Sequence, residues 1–331
     1  MSSDHGVRPN PTPRAGGQAY LCAPAYQLGE ISEPVSSIAD LASRAAEFSM
    51  PMLGKLWGWG EYRRTELDLE DLAIATARAT VSEAGVDAAS IDALILCSTK
   101  FPGGAESHGR FVQRITDAVG LSGTAFYGLT LHRCANLLAA IDLASTLVTA
   151  GRHQRILVIT TDRVRPAVSR VEQYAIFSDG SASCLVTDAP VRGENYQILG
   201  AAFASSPGGL DAGSEISADL AVEVNGRLLD HLPIELSQVR ALMHANLVVP
   251  VVTMKERQAG FGPEQLYLDN ISRFGHCFAA DPVINLVDRN ALGQLRDGDH
   301  VLLATSVPGE RFSVLLRRAT DDSTCRALAT V

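Results

Sequence analysis

The chain has 331 residues, a formal charge of −9, and 46% hydrophobic against 20% charged residues. That length suits one large domain or two ordinary ones with a sizeable core. The acidic balance argues against general affinity for nucleic acid or anionic membrane, and no apolar run approaches a membrane-spanning length.

Residues 1–18 are rich in Pro, Gly and polar side chains and are expected to form a disordered tail. They lack the apolar core of a secretory signal. Residues 19–23 read as a first strand, 31–52 as partly helical, and 57–64 as a turn-rich segment with two tryptophans. Asp68 is placed to cap a helix through Glu83, with Glu70 and Asp71 in its first turn and Gly85 as its stop. Residues 92–98 form a short continuous apolar run, the pattern of a strand buried on both faces, and 106–119 read as a helix.

The central stretch runs from Ala125 to Gly151: a short apolar run, a polar turn, then Cys134. Leu137, Ile141, Ala144 and Val148 follow at helical spacing, so the cysteine opens a helix. Unpartnered N–H groups there favour a thiolate; the bland alternative is a buried structural cysteine. Next come a buried strand at 155–161, a turn at 178–181 and a strand at 182–186. The likeliest junction between halves is 190–194. Beyond it, 198–204, 220–224 and 266–270 read as strands and 235–252 as mostly helical. Pro282 starts a helix capped by Asp281, and a hairpin joins 301–305 to 312–317 through a loop at 306–311. The alternation predicts an α/β fold with mainly parallel buried strands.

Six cysteines (Cys22, Cys97, Cys134, Cys184, Cys277, Cys325) are scattered without CxxC pairs or metal-type spacing. Free thiols and a reduced, cytoplasmic setting are expected, with no metal site.

Four stretches together resemble the thiolase superfamily, most closely its β-ketoacyl-carrier-protein synthase III branch. They are 70–99, EDLAIATARATVSEAGVDAASIDALILCST; the segment around Cys134, which falls at the family's nucleophile; RILVITTD followed by YAIFSDGSASCLV; and HANL, FGHCFAADPVINL and the glycine-bearing 306–311 loop. The resemblance implies a five-layered αβαβα fold of two similar halves, here 19–189 with the nucleophile and 190–331 with its partners. It also implies a homodimer and a pantetheine tunnel to the cysteine, with phosphopantetheine or CoA thioester as substrate carrier and no other cofactor.

Two positions depart from the condensing members of that branch. Met243 stands where they carry a histidine, with His244 one residue later, and His276 stands where they carry an asparagine. Both family residues promote decarboxylation of the extender, so their replacement argues against carbon–carbon condensation. Gly275, His276 and Asp281 instead resemble an acyl-transferring offshoot found in polyketide and related natural-product pathways, which uses Cys, His and Asp together.

The resemblance therefore implies an acyltransferase. Cys134 takes an acyl group from an acyl carrier protein or CoA thioester and passes it to a hydroxyl, an amine or a second carrier protein. His276 is the expected base and Asp281 its orienter. The expected oxyanion donors are the Cys134 N–H and an N–H of the Pro308–Gly309 loop. His244 ranks second to His276, and Asn246 is either a pocket hydrogen-bonder or a helix-surface residue. For Asp281, N-capping alone is an equal alternative. His132 and Arg133 either shape the acyl pocket or are solvated turn residues. Arg152, Arg155, Arg163, Arg165 and Arg170 form a basic segment that is either a carrier-protein contact or a solvated loop. The alternative activity is decarboxylative condensation using His244, and a non-catalytic subunit is a third.

Overall fold

The computed structural model describes residues 17–121, 123–165, 167–210 and 215–319. Nearly all of the expected tail, and Cys325, lie outside these residues. The N-terminal half runs β1 (Ala19–Leu28), β2 (Ile31–Pro34), α1 (Leu41–Glu47), α2 (Gly54–Trp57), β3 (Glu61–Arg64), α3 (Leu69–Ala84), β4 (Ala93–Cys97), α4 (Ala105–Val119), β5 (Ala125–Leu129), α5 (Asn136–Thr149), β6 (Arg155–Asp162), β7 (Val171–Glu172), β8 (Ala175–Ile176) and β9 (Gly180–Thr187). The C-terminal half runs β10 (Asn195–Ser205), α6 (Ala218–Leu229), β11 (Val239–His244), α7 (Val249–Gln258), α8 (Asp269–Phe274), α9 (Asp281–Ala291), β12 (His300–Val307) and β13 (Glu310–Arg318).

Two halves of one nine-stranded sheet carry the same plan. Its order is β11-β12-β13-β10-β1-β9-β6-β4-β5, with antiparallel β1 and β10 joining the halves. In the first half β1 pairs with β9 and β9 with β6, both antiparallel, and β4 is parallel to β6 and β5. In the second, β10–β13–β12 repeats the antiparallel steps and β11 the parallel one. The counterpart of β5 is reduced to a single parallel bridge between Leu242 and Leu266. Parallel pairing is thus confined to the outer strands of each half. The expectation of a mainly parallel sheet is corrected: each half returns through a hairpin-like antiparallel strand.

Burial explains the layering. Along β4, Ala93, Ile95 and Cys97 face one apolar cluster while Leu94 and Leu96 face another, so the strand is apolar throughout. The first cluster contains Leu137, Leu138 and Ile141 of α5 and Val283, Ile284 and Leu286 of α9, with strands from both halves around them. α5 and α9 therefore form the middle layer. α3 and α4 cover the outer face of the first half-sheet, and α6 covers that of the second. Each fully buried leucine or isoleucine contributes about 1.5–3 kcal/mol.

Several expected elements differ. Residues 220–224 belong to helix α6, where Leu220, Ala221, Val224 and Leu228 are buried at helical spacing behind the Ser217 cap. The supposed helix at 235–252 splits into strand β11 and helix α7, because a short run such as VRALMH does not distinguish a buried strand from a buried helix. Only Leu266 of the expected 266–270 strand pairs, and α8 follows. The loop at 306–311 is a two-residue turn, Pro308–Gly309. Asp68 sits at the N-cap of α3 without a side-chain capping bond, and Gly85 adopts the left-handed stop (φ 63°).

Candidate active site

Cys134 lies in a single 3-10 turn (Arg133–Ala135) that leads into α5, and is 9% exposed. His276 reaches it from the loop before α9: Nε2 stands 3.3 Å from Sγ. The loop is pinned by backbone bonds, His276 N–H to Ile176 O and Ser178 N–H to His276 O, both 2.8 Å. Gly275 makes that approach possible. Its φ is 67°, and a Cβ there would lie 2.7 Å from the Ile176 carbonyl oxygen.

On the other side of the ring, Nδ1 donates to Asp281 Oδ2 at 2.5 Å. Asp281 is fully buried and is the first residue of α9, not its cap. Its oxygens accept from Cys277 N–H (2.8 Å), Asn246 N–H (2.6 Å) and Asn246 Nδ2 (3.3 Å). The helix N-terminus adds a favourable field for its negative charge. Burial acts to lower the His276 pKa. The Asp281 carboxylate and Cys134 outweigh it and push the imidazole up to about 10. The raised pKa favours the ring taking a proton from its neighbour, as a base must.

Asn246 is not a pocket hydrogen-bonder. It stands behind Asp281, 1% exposed, its amide oxygen accepting from Asn285 Nδ2 at 3.0 Å. Asn285, one turn along α9 from Asp281, was not singled out in the sequence, and its four-residue helical spacing is the signal that could have found it. His244 ends strand β11. Its Nδ1 donates to the Ala245 carbonyl at 2.6 Å, and its buried Nε2 has no partner among the described residues. Burial lowers its pKa, leaving it neutral. It borders a small void with Glu256 and Ser306.

In the turn Pro308–Gly309 the one N–H belongs to Gly309. Proline has no N–H, and the Pro308 carbonyl accepts from Arg133 Nη2 at 2.7 Å. His132 and Arg133 are not free turn residues: His132 Nδ1 bonds Glu310 Oε1 at 2.6 Å, and Arg133 Nη2 lies 3.5 Å from Glu310 Oε2. Glu310, 4% exposed, escaped the sequence reading because it is an ordinary charge 178 residues from His132. The clamp holds Arg133 at φ 50°, a left-handed conformation costing a non-glycine residue about 1–2 kcal/mol.

A cavity of about 560 Å³ lies next to His276 without being lined by it or by Cys134. Phe177 and Phe278 form part of its wall, and both rings pack on His276, with centroids 4.8 and 6.1 Å away. Of the basic segment, Arg163 and Arg165 line the opening, whereas Arg170 is tied to Asp179 by two 2.9 Å bonds and is structural. Trp57 and Trp59 stack on each other at 6.3 Å, away from this cavity. Among the described residues, five cysteines are free and buried, no group of three side chains is arranged to hold a metal, and no helix is long and apolar enough to cross a membrane.

Solved structures of similar fold cover about nine-tenths of this chain. One named as the acyltransferase ChlB3 superposes with a TM-score of 0.78 at 17% identity, over 92% of this chain and 98% of its own. The 3-oxoacyl-[acyl-carrier-protein] synthase III of Aquifex aeolicus VF5 gives 0.73 at 18% identity, over 90% and 99%. The chain has the thiolase-like fold. The sequence model for 3-oxoacyl-[acyl-carrier-protein] synthase III matches residues 130–207. A β-ketoacyl-[acyl-carrier-protein] synthase III from Solibacter usitatus is 25% identical over 289 residues, 76% of this chain and 85% of the relative. In this thiolase-like chain the triad spans the two halves: Cys134 precedes the middle-layer helix of the first, and Asp281 begins its counterpart in the second.

Proposed function

We propose that this chain is a Cys-His-Asp acyltransferase acting on carrier-protein or CoA thioesters. The observation that carries the reading is the unbroken hydrogen-bonded line from Cys134 Sγ through His276 to Asp281. In the first step the Cys134 proton passes to His276 Nε2. The thiolate attacks the thioester carbonyl, and the Cys134 N–H is the proposed donor to the oxyanion. As the intermediate collapses, His276 gives its Nε2 proton to the departing thiolate. Neutral His276 then takes the proton of an acceptor hydroxyl, amine or carrier thiol as that acceptor attacks the acyl-enzyme. Cys134 leaves as a thiolate beside the protonated ring, ready for the next acyl group.

The names of the sequence relatives favour a second reading, decarboxylative condensation. It would require His244, whose Nδ1 is engaged with Ala245 and whose ring burial disfavours charging. Release of carbon dioxide from a malonyl thioester separates the two. The acyl-transfer reading expects none above the Cys134→Ala background, and release abolished by His244→Ala but retained in His276→Ala overturns it.

Residues 19–189 supply the nucleophile in this reading and 190–331 the His and Asp. We also propose a homodimer. β5 is an edge strand of the sheet with Phe126 61% exposed, an edge that a second copy would cover.

A further inference from the structure

The 560 Å³ cavity holds one feature that acyl transfer does not itself require. Asp162, at the end of β6, lines it while being only 2% exposed. Its two oxygens are unequal. Oδ1 accepts from Thr99 Oγ1 (2.6 Å), Thr99 N–H (2.7 Å) and Ser98 Oγ (3.1 Å). Oδ2 has only the Thr160 hydroxyl at 3.5 Å, the limit of a hydrogen bond. Among the described residues no lysine or arginine pairs with this carboxyl. A buried carboxylate oxygen held by one donor at the limit of a hydrogen bond is under-satisfied, and burial raises the group's pKa to about 6. Holding the turn at Ser98–Thr99 explains one oxygen and leaves the other unexplained.

The surroundings restrict what donor fits. Part of the wall is apolar, with Leu69, Phe101, Val164, Tyr174, Phe177 and Phe278. Lys100, Arg163 and Arg165 line the same cavity, and Lys100 and Arg165 form no ion pair among the described residues. The one other acidic residue on the wall, Glu172, is paired with Arg44 at 3.3 Å. An ammonium entering would meet this positive field in a site partly shielded from water. A neutral hydroxyl satisfies Oδ2 without adding charge.

We infer that this cavity binds a neutral, hydroxyl-bearing organic group with an apolar, ring-sized body, its O–H donating to Asp162 Oδ2. The volume lies within the range of small-molecule sites, and the Phe177 and Phe278 rings connect the cavity to His276. The inference rests on the acyl-transfer reading for the ligand's role as acyl group or acceptor, and the binding itself is measurable apart from that reading. A site built around a hydroxyl discriminates strongly against the analogue lacking it, because the buried acceptor is then left unpaired.

The test is isothermal calorimetry with three unreactive probes: 4-(hydroxymethyl)benzamide, its near-isostere 4-ethylbenzamide, and 4-(aminomethyl)benzamide. Wild type is expected to bind the alcohol at least about tenfold tighter than either other probe. In Asp162→Asn the preference over the ethyl probe should fall below about threefold; asparagine's oxygen can still accept from Ser98 and Thr99, so this variant keeps the turn. Carboxyl-carbon NMR of the wild type supplies a readout free of folding effects. The alcohol should lower the Asp162 titration midpoint and the ethyl probe should not. Equal affinities, tighter binding of the amine, no binding of any probe, a preference that survives in Asp162→Asn, or an unmoved midpoint would each overturn the assignment. None of the probes is a thioester. A failure of Cys134 to be acylated would sink the transfer reading and leave this result standing, and the reverse also holds.

Discussion

Asp281 Oδ2 sits 2.5 Å from His276 Nδ1 and also receives the Asn246 N–H at 2.6 Å, so the carboxylate that holds the imidazole is itself held. Replacing Asp281 by Asn removes the charge that raises the His276 pKa and leaves burial, which lowers it. The His276 ring-proton titration should move downward from about 10, with Cys134 alone left to oppose burial. Acyl transfer should fall by about 10²–10⁴-fold, the usual worth of a positioned acid–base group. Asp281→Asn should cost less than His276→Ala, because the imidazole remains. An unchanged titration midpoint would refute the assigned cause.

The same shift makes a statement about stability. The folded-state pKa of His276 is raised above its ordinary 6.5. Its contribution is therefore complete below pH 6.5 and is lost as pH rises through about 10. Urea melts of wild type against His276→Gln should converge between those two values. A gap that widens with rising pH would reverse the sign.

Gly275→Ala tests the approach of the histidine loop. The added Cβ meets a backbone oxygen at 2.7 Å, and φ 67° is strained for alanine. A loss of about 1–3 kcal/mol in chemical denaturation is expected, by the strain of a non-glycine residue in that region. Alkylation of Cys134 by iodoacetamide should slow with it, since the loop carries His276. Wild-type stability with wild-type alkylation would show that the loop shifts freely.

Glu310 joins the turn between β12 and β13 to both residues before the nucleophile. Glu310→Ala removes charged hydrogen bonds, a loss of about 1–3 kcal/mol, and releases Arg133 from φ 50°. Arg133→Gly adopts that φ without strain. The two substitutions should therefore overlap in a double-mutant cycle, read as the Cys134 alkylation rate. Strict additivity would mean that the clamp does not act through Arg133.

The sequence exposed what depends on neighbours in the chain. The run at 93–97, the helix after Cys134, the left-handed Gly85 and the Gly275–His276 pair all rest on local pattern. The three candidate triad residues lie 142 and 5 positions apart, and only the family resemblance related them before the coordinates did. The place of Asn246 behind Asp281 was not legible, because the direction in which a chain projects beyond a strand end is set by tertiary packing. Asp162 and Glu310 were invisible as site residues. Their significance comes from burial and from partners brought in by other strands, which residue order does not encode locally. Residues 220–224 and 235–252 failed because short apolar runs suit strand and helix alike.

The central claim is that Cys134 carries the acyl group. Its most direct test is intact-mass spectrometry of wild type, Cys134→Ala and His276→Ala after incubation with a panel of acyl-carrier-protein and CoA thioesters, followed by peptide mapping. The account predicts one acyl adduct on the wild-type Cys134 peptide, none on Cys134→Ala, slowed formation on His276→Ala, and discharge of the adduct when a competent acceptor is added. An unmodified Cys134 across the panel, or an adduct that persists at wild-type rate in His276→Ala, would contradict it.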